Sequence, residues 1–257
     1  MTDDMTQMAD RHMVLATDLD GTFLGGSDAD RDRLYDWVRR HRATVGLIFV
    51  TGRDPAFIED LCASGRVPWP EYVVGDVGTT IAHVDQERGL SPIPALEADI
   101  ASAWGDRGES VRAQLDGHPG LTLQPTEFRY RVSYDMDPDR FDDSAAGIVE
   151  ALGADALISD SRFFDVLPRG ISKGPSLLRL VDHLRVARSR VLAAGDTLND
   201  LSMLVAGTPA VAVGGAEDAL LNGLPEAGHI HRATAIGAAG ILEAIEVFDL
   251  HPVAAEV

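Results

Sequence analysis

Apolar residues in this chain fall into two alternating patterns, unbroken short runs and helically spaced sets. Val14-Leu15-Ala16, Val45-Gly46-Leu47-Ile48-Phe49-Val50, Tyr72-Val73-Val74, Val191-Leu192-Ala193-Ala194 and the run 210–213 are continuous and of strand length. Such runs mark strands buried on both faces. Between them, Leu34, Trp37, Val38 and His41 recur at helical spacing, with acids early and arginines late, as the helix dipole favours. Asp54-Pro55 reads as an N-cap followed by proline at the first helical position, opening a helix over 55–64. Residues 173–186 place Leu177, Leu180, Val181 and Leu184 on one face. A short helix is predicted over 200–205 and a closing one over 236–248. Ile81-Ala82-His83-Val84 is read as the return strand of a hairpin after Tyr72-Val73-Val74. Strand alternating with helix predicts an α/β fold, a Rossmann-like, doubly wound parallel sheet.

The pattern changes between 91 and 167. Pro92 and Pro94 punctuate a linker, and one helix is predicted over 96–115, interrupted by Gly105 and Gly108. Strands over 121–123 and 128–134, a helix over 141–152, and strands over 156–158 and 163–167 complete an inserted α+β module, of a size to fold over the carboxyl ends of the first sheet. The core is then 13–90 and 168–257, and 1–12 reads as a disordered lead-in.

Composition narrows the function. Hydrophobic residues make up 45% of the 257 and mean hydropathy is −0.01, as in a soluble globular protein. No apolar run approaches the roughly 20 residues of a membrane span. Residues 1–12 are acidic and polar, unlike a signal peptide. The lone Cys62 sits in a predicted helix, where it reads as packing and fits a cytoplasmic enzyme. A net charge of −19 repels nucleic acid and anionic membranes, so neither is an expected partner. It also repels a phosphorylated metabolite, which would need positive charge concentrated at its site. Of 22 basic side chains, Lys173 is the one lysine, a compact ammonium among planar guanidinium groups. None of the eight histidines shows metal-ligand spacing, and His229 and His231 alternate as a strand would.

The candidate chemistry lies where strands end. Val14-Leu15-Ala16-Thr17 runs into Asp18-Leu19-Asp20-Gly21-Thr22, and side chains two apart on a strand project to the same side. Two carboxylates in one volume repel unless one is protonated or a cation lies between them. A hard divalent ion suits them, with Mg²⁺ the usual choice where phosphate is handled, though an acidic solvated turn gives the same pattern. Thr51-Gly52-Arg53 ends the second strand and Asp196, Asn199 and Asp200 follow a later one, while Lys173 opens the helix feeding it. Ligands of open parallel sheets bind outside the strands' carboxyl ends, so these residues are predicted to meet.

These motifs, in this order, resemble the haloacid dehalogenase (HAD) superfamily of phosphohydrolases, and the insert resembles its C2-type cap. Asp76-Val77-Gly78-Thr79-Thr80, Arg131-Val132-Ser133-Tyr134 and the stretch from Asp165 to Gly174 resemble sucrose-phosphate phosphatases and related sugar phosphatases. Gly21 stands where the sucrose enzymes often have asparagine.

The resemblance implies Mg²⁺-dependent hydrolysis of a sugar phosphate through an aspartyl-phosphate. Asp18 would be the nucleophile and Asp20 the acid and base. Asp18, the Asp20 carbonyl and Asp196 would hold the metal, with Asn199 and Asp200 ordering its surroundings; Asp200 is also a candidate N-cap. Thr51, Gly52 and Lys173 would bind phosphate, and Gly78 and Thr79 would bind phosphate or substrate beside them. Arg53 would contact the substrate or pair with an acid. Arg129 and Arg131, with Glu127 on the same alternating strand, and Asp165 are candidates to face the sugar. Sucrose-6-phosphate, trehalose-phosphate, hexose-phosphate and glycosyl-glycerate esters all remain open, as does phosphotransfer to a second hydroxyl. A non-catalytic sensor would be expected to lack Asp18 or Asp20, and both are present.

Overall fold

β1 (Met13–Thr17) is buried along its whole length, as its apolar run requires. In the computed structural model, which describes residues 8–253, this strand lies at the middle of the molecule. It pairs in parallel with β2 (Val45–Val50) on one side and β10 (Val191–Gly195) on the other. From β1 the chain runs outward through β2 to β3 (Tyr72–Gly75), then later from β10 through β11 (Ala210–Gly214) to β12 (Ile230–Ile236). All these pairings are parallel. The direction of travel reverses between β1 and β10, which opens a crevice beyond the strands' carboxyl ends.

Alternation along β1 divides the core. Met13 and Leu15 pack with Phe49, Trp37, Ile241 and Ile245 on one face; Val14 and Ala16 pack with Ile48, Leu177 and Leu180 on the other. The first face is covered by α1 (Asp28–Arg40), started by a reciprocal Ser27–Asp30 capping box, and by α9 (Ala238–Val247). α2 (Pro55–Ala63) starts as its Asp54-Pro55 signal predicts, with the Asp54 carboxylate accepting from the Phe57 amide. α6 (Lys173–His183) lies on the second face.

Beyond β3 the sheet continues as an antiparallel hairpin, β4 (Thr80–Asp85) and β5 (Gly89–Pro92). β5 lies where a linker was expected. Its residues have weak strand propensity, and pairing to β4 makes the strand. The cap follows. The single predicted helix is two, α3 (Pro94–Trp104) and α4 (Arg107–Leu115), broken where Gly105 takes φ +58°. A four-stranded antiparallel sheet has the order β6 (Leu121–Leu123), β7 (Val132–Met136), β9 (Phe163–Pro168), β8 (Ala154–Ser159). Trp104, Val111 and Leu115 pack against Tyr134, Phe164 and Val166, and α5 (Ser144–Ala151) adds Ala145 and Val149.

Three further expectations need correction. Residues 8–12 are not a loose lead-in: Met8 is buried in the core, and the Ala9 and Arg11 carbonyls accept from Arg190. Residues 1–7 lie outside those described. The strand predicted over 128–134 begins only at Val132, so Arg129 and Arg131 do not share a strand face. The closing helix starts at Ala238, because Ile236 ends β12 and Gly237 turns the chain at φ +54°. Among the described residues, no helix is long and apolar enough to cross a membrane.

Candidate active site

β1 stops one residue before Asp18, and residues 18–23 coil rather than continue the strand. The alternation expected to place Asp18 and Asp20 on one side therefore does not operate. The loop brings both to the crevice by another route, with Asp20 near-extended at φ −69° and Gly21 left-handed at φ +76°. A Cβ at Gly21 would meet the Asp196 carboxylate at this positive φ, so a larger residue here requires that side chain to shift. Asp18 is 4% exposed and points inward. Asp20 stands at the mouth, clasped by Arg53 through Nε to Oδ2 at 2.8 Å and Nη2 to Oδ1 at 3.0 Å. Arg53 therefore pairs with an acid while also lining the cavity, with its guanidinium 4.5 Å from the Phe57 ring centroid.

Lys173, the first residue of α6, is completely buried. Its Nζ donates to Asp18 Oδ1 at 2.7 Å and Asp200 Oδ1 at 2.6 Å. α6 reaches this depth because Gly174 lies against the Ser202 carbonyl, where a Cβ would clash. Asp200 Oδ2 accepts from the Asp196 and Thr197 amides, each at 3.0 Å, so its two oxygens bind the lysine to the turn after β10. Asp200 is the third residue of a capping box whose N-cap is Thr197, and its side chain makes no cap hydrogen bond to the helix that follows it. Burial alone would push the Lys173 ammonium down, but Asp18 and Asp200 hold it above its ordinary value.

Asp18, Asp196 and Asp200 each offer an oxygen within 4.8 Å of the others. Burial pushes Asp18 well above the usual carboxylate range, opposed by Lys173 and reinforced by Asp200 and Asp196. Burial and then Asp200 push Asp196 up to about 7, against a hydrogen bond from Thr22 Oγ1 at 2.6 Å. A crowded, all-oxygen set that resists ionising by itself fits a hard divalent cation. Because Lys173 and two amides occupy Asp200, the oxygens left uncommitted among the described residues are on Asp18 and Asp196. Asn199 lines the cavity, its Oδ1 accepting from Thr197 Oγ1 at 3.0 Å.

The Thr51-Gly52-Arg53 loop follows β2 and is pinned from behind. The Asp76 amide donates to the Arg53 carbonyl at 3.0 Å and the Val77 amide to the Thr51 carbonyl at 3.1 Å. Both donors sit at positive φ, +52° for Asp76 and +58° for Val77. A β-branched residue there is a rare conformer costing on the order of 1–3 kcal/mol. The strain falls on the turn that holds the loop in place.

These parts surround a cavity of about 560 Å³. The core contributes Asp18, Asp20, Thr51, Gly52, Val77, Asp196 and Asn199. The cap contributes Gln124, Thr126, Phe128, Arg131, Ser159, Asp160, Arg162, Phe163 and Asp165. Lys173 and Asp200 lie beneath the floor. Gly78, Thr79 and Arg129, expected to bind substrate, are not among the lining residues. Gly78 accepts from Ser176 Oγ at 2.6 Å, and Thr79 Oγ1 donates to the Asp76 carbonyl at 3.0 Å. Arg129 is held by both oxygens of Glu97, at 2.8 and 2.9 Å, because it precedes the strand on which it was expected. The cap lining at 124–128 and 159–163 was missed by sequence reasoning. These residues sit at strand ends and turns, and only Phe163 beside Asp165 on β9 carried an alternation signal. Cys62 is packing, its thiol pushed up to about 12 by burial.

Three comparisons bear on this geometry. The sequence model of the sucrose-6F-phosphate phosphohydrolase family matches residues 11–249. Mannosylfructose-phosphate phosphatase of Agrobacterium fabrum is 29% identical over 93% of this chain and 98% of its own. Glucosylglycerol-phosphate synthase of Pseudomonas anguilliseptica is 39% identical over 92% of this chain, which spans only 31% of that relative's length. Among solved structures, the sucrose-phosphatase of Synechocystis, crystallised with sucrose and phosphate, superposes with a TM-score of 0.83 and is 26% identical, covering 93% of this chain and 98% of that one. HAD phosphatases generally use a divalent metal, and the buried aspartates suit one. The crevice at the β1/β10 boundary, the buried lysine and the matched residues agree: this chain belongs to the sucrose-6F-phosphate phosphohydrolase family of the HAD superfamily.

Proposed function

We propose that this chain hydrolyses the phosphate monoester of a glycosylated polyol, with glucosylglycerol-phosphate the preferred substrate, by way of a phosphoryl group carried on Asp18. The observation behind the chemistry is the buried Asp18–Lys173–Asp200 row, which aims a carboxylate at the cavity and fixes it with one ammonium. The Asp18 oxygen attacks phosphorus as the bond to the sugar oxygen breaks, and Asp20, entering the step protonated on an oxygen released from Arg53, gives that proton to the departing alcohol. Asp20 then takes a proton from a water molecule whose oxygen attacks phosphorus and frees Asp18.

The Thr51 hydroxyl and the Gly52 amide bind phosphate oxygens, and Lys173 offsets charge at the nucleophile. Asp18 and Asp196 would hold Mg²⁺, with Asp200 supporting both; the cation would draw negative charge off the transferring phosphoryl group. Asp165 and the 159–163 turn face the sugar.

The substrate rests on a separate observation. One relative, 39% identical, is named for making glucosylglycerol-phosphate, and this chain matches less than a third of it. A phosphatase-like segment within such a synthase has that synthase's product at hand. The test is phosphate release by the purified protein from glucosylglycerol-phosphate, sucrose-6-phosphate, mannosylfructose-phosphate and trehalose-phosphate, with no second alcohol added. The highest kcat/KM is expected for glucosylglycerol-phosphate. Preference for sucrose-6-phosphate would overturn the substrate and leave the chemistry, whereas turnover only with an added acceptor would overturn hydrolysis.

A further inference from the structure

The cap touches the Thr51-Gly52-Arg53 loop through one buried guanidinium. Arg131 is 5% exposed and immediately precedes β7. Two of its contacts belong to the cap: Nη1 donates to Asp165 Oδ1 at 3.2 Å, and the guanidinium carbon lies 3.7 Å from the Phe128 ring centroid. The other two belong to the core: Nη2 donates to the Gly52 carbonyl at 3.0 Å and lies 3.5 Å from Asp76 Oδ1. One cap cation therefore serves a carboxylate on each side of the cavity.

The Gly52 contact carries the consequence. That carbonyl shares a rigid peptide plane with the Arg53 amide. The Arg53 amide donates to Thr51 Oγ1 at 3.2 Å, and the Arg53 side chain clasps Asp20. Holding one edge of the plane orients the other, so the hydroxyl of Thr51 and the carboxylate of Asp20 are set together. Asp76 gives the guanidinium a second anchor on the core, from the strained turn that pins the same loop.

We propose that Arg131 is a positioning residue: by gripping the Gly52 carbonyl from the cap, it orients Thr51 and Asp20 and makes cap closure a condition of a competent phosphate site. The proposal rests on the reading of residues 51–53 as the phosphate loop. It differs from the sequence expectation that Arg131 contacts the sugar.

The two roles separate experimentally. Arg131→Gln removes the charge and the fork, while Arg131→Lys keeps a cation near Asp165 and Asp76 but loses the planar fork. The first readout is hydrogen exchange at the Arg53 amide in substrate-free protein, expected to quicken at least about tenfold in either variant. The second is kcat for the sugar phosphate and for 4-nitrophenyl phosphate, too small to span to the cap's sugar-facing groups. A misplaced loop lowers kcat about a hundredfold for both. A direct sugar contact instead raises KM for the sugar phosphate and spares the small ester. Unchanged Arg53 exchange, or a loss confined to the sugar phosphate, would overturn the proposal. If wild-type protein released phosphate from no ester, the phosphatase reading would fall, and the exchange measurement would still decide whether the cap orients the loop. Should Arg131→Gln not fold, Arg131→Lys decides both readouts.

Discussion

A buried ammonium between two carboxylates is worth most when one partner is taken away. Lys173→Met keeps the side chain's length and leaves Asp18 and Asp200 facing each other without a counter-charge. Breaking a buried pair this way costs about 3–5 kcal/mol, and losing a charge at the reacting group adds about 2–4 kcal/mol to the barrier. Urea unfolding should show the first and kcat the second. Burial already pushes Asp18 upward, and without the lysine it goes higher still. The folded variant would then bind more protons than the unfolded chain above pH ~4, so its stability falls as pH rises and its deficit is smaller at pH 5 than at pH 8. A deficit independent of pH would contradict the assignment. Lys173 was conspicuous as the one lysine among many arginines, and the aspartates were legible because each follows an apolar run. Arg129 and Arg131 were not separable, since which of two nearby arginines turns inward depends on where β7 begins, and long-range pairing sets that.

Elements place these residues through close backbone approach. Gly174 lets α6 lie against the Ser202 carbonyl, with Ser202 Oγ accepting from the Gly174 amide at 3.0 Å. Gly174→Ala should push the helix outward at a cost of about 1–3 kcal/mol. It should lower kcat as well, because Lys173 moves with the helix. Thermal unfolding and turnover measured on one preparation check both; an alanine variant with wild-type values would mean that the approach is not needed. Caps and apolar runs made α1, α2, β2 and β10 readable in advance. β5 was not, because Gly89-Leu90-Ser91-Pro92 becomes a strand only by pairing with β4. The same holds for the start of β7.

At the scale of the molecule, a sheet that reverses at β1/β10 gathers residues distant in sequence into one acidic cluster. Without a cation, burial and Asp200 lift Asp196 from 3.8 to about 7, and Asp18 is raised too. Between pH ~4 and ~7 the folded state therefore holds more protons than the unfolded one, and cation-free protein loses stability as pH rises through that window. A bound cation needs the carboxylates ionised, so its stabilising effect should grow over the same range. With Mg²⁺ at ~100 times its dissociation constant the gain should reach about 2.7 kcal/mol at pH 8 and fade by pH 5, with a chelator reversing it. An equal melting shift at both pH values would count against the cluster as the metal site. Strand order and the convergence at the crevice were legible because successive buried runs each end in a polar cluster. The cap's inner surface was not, since its lining comes from turns whose placement depends on how the two sheets meet.

The central claim is that the phosphoryl group passes through Asp18. Its most direct test is acid quenching during turnover of substrate carrying a radiolabelled phosphate, followed by peptide mapping. The label is expected on the peptide containing Asp18 and on none in the Asp18→Asn variant, which should release no phosphate. Label on another residue, or full turnover by Asp18→Asn, would contradict it.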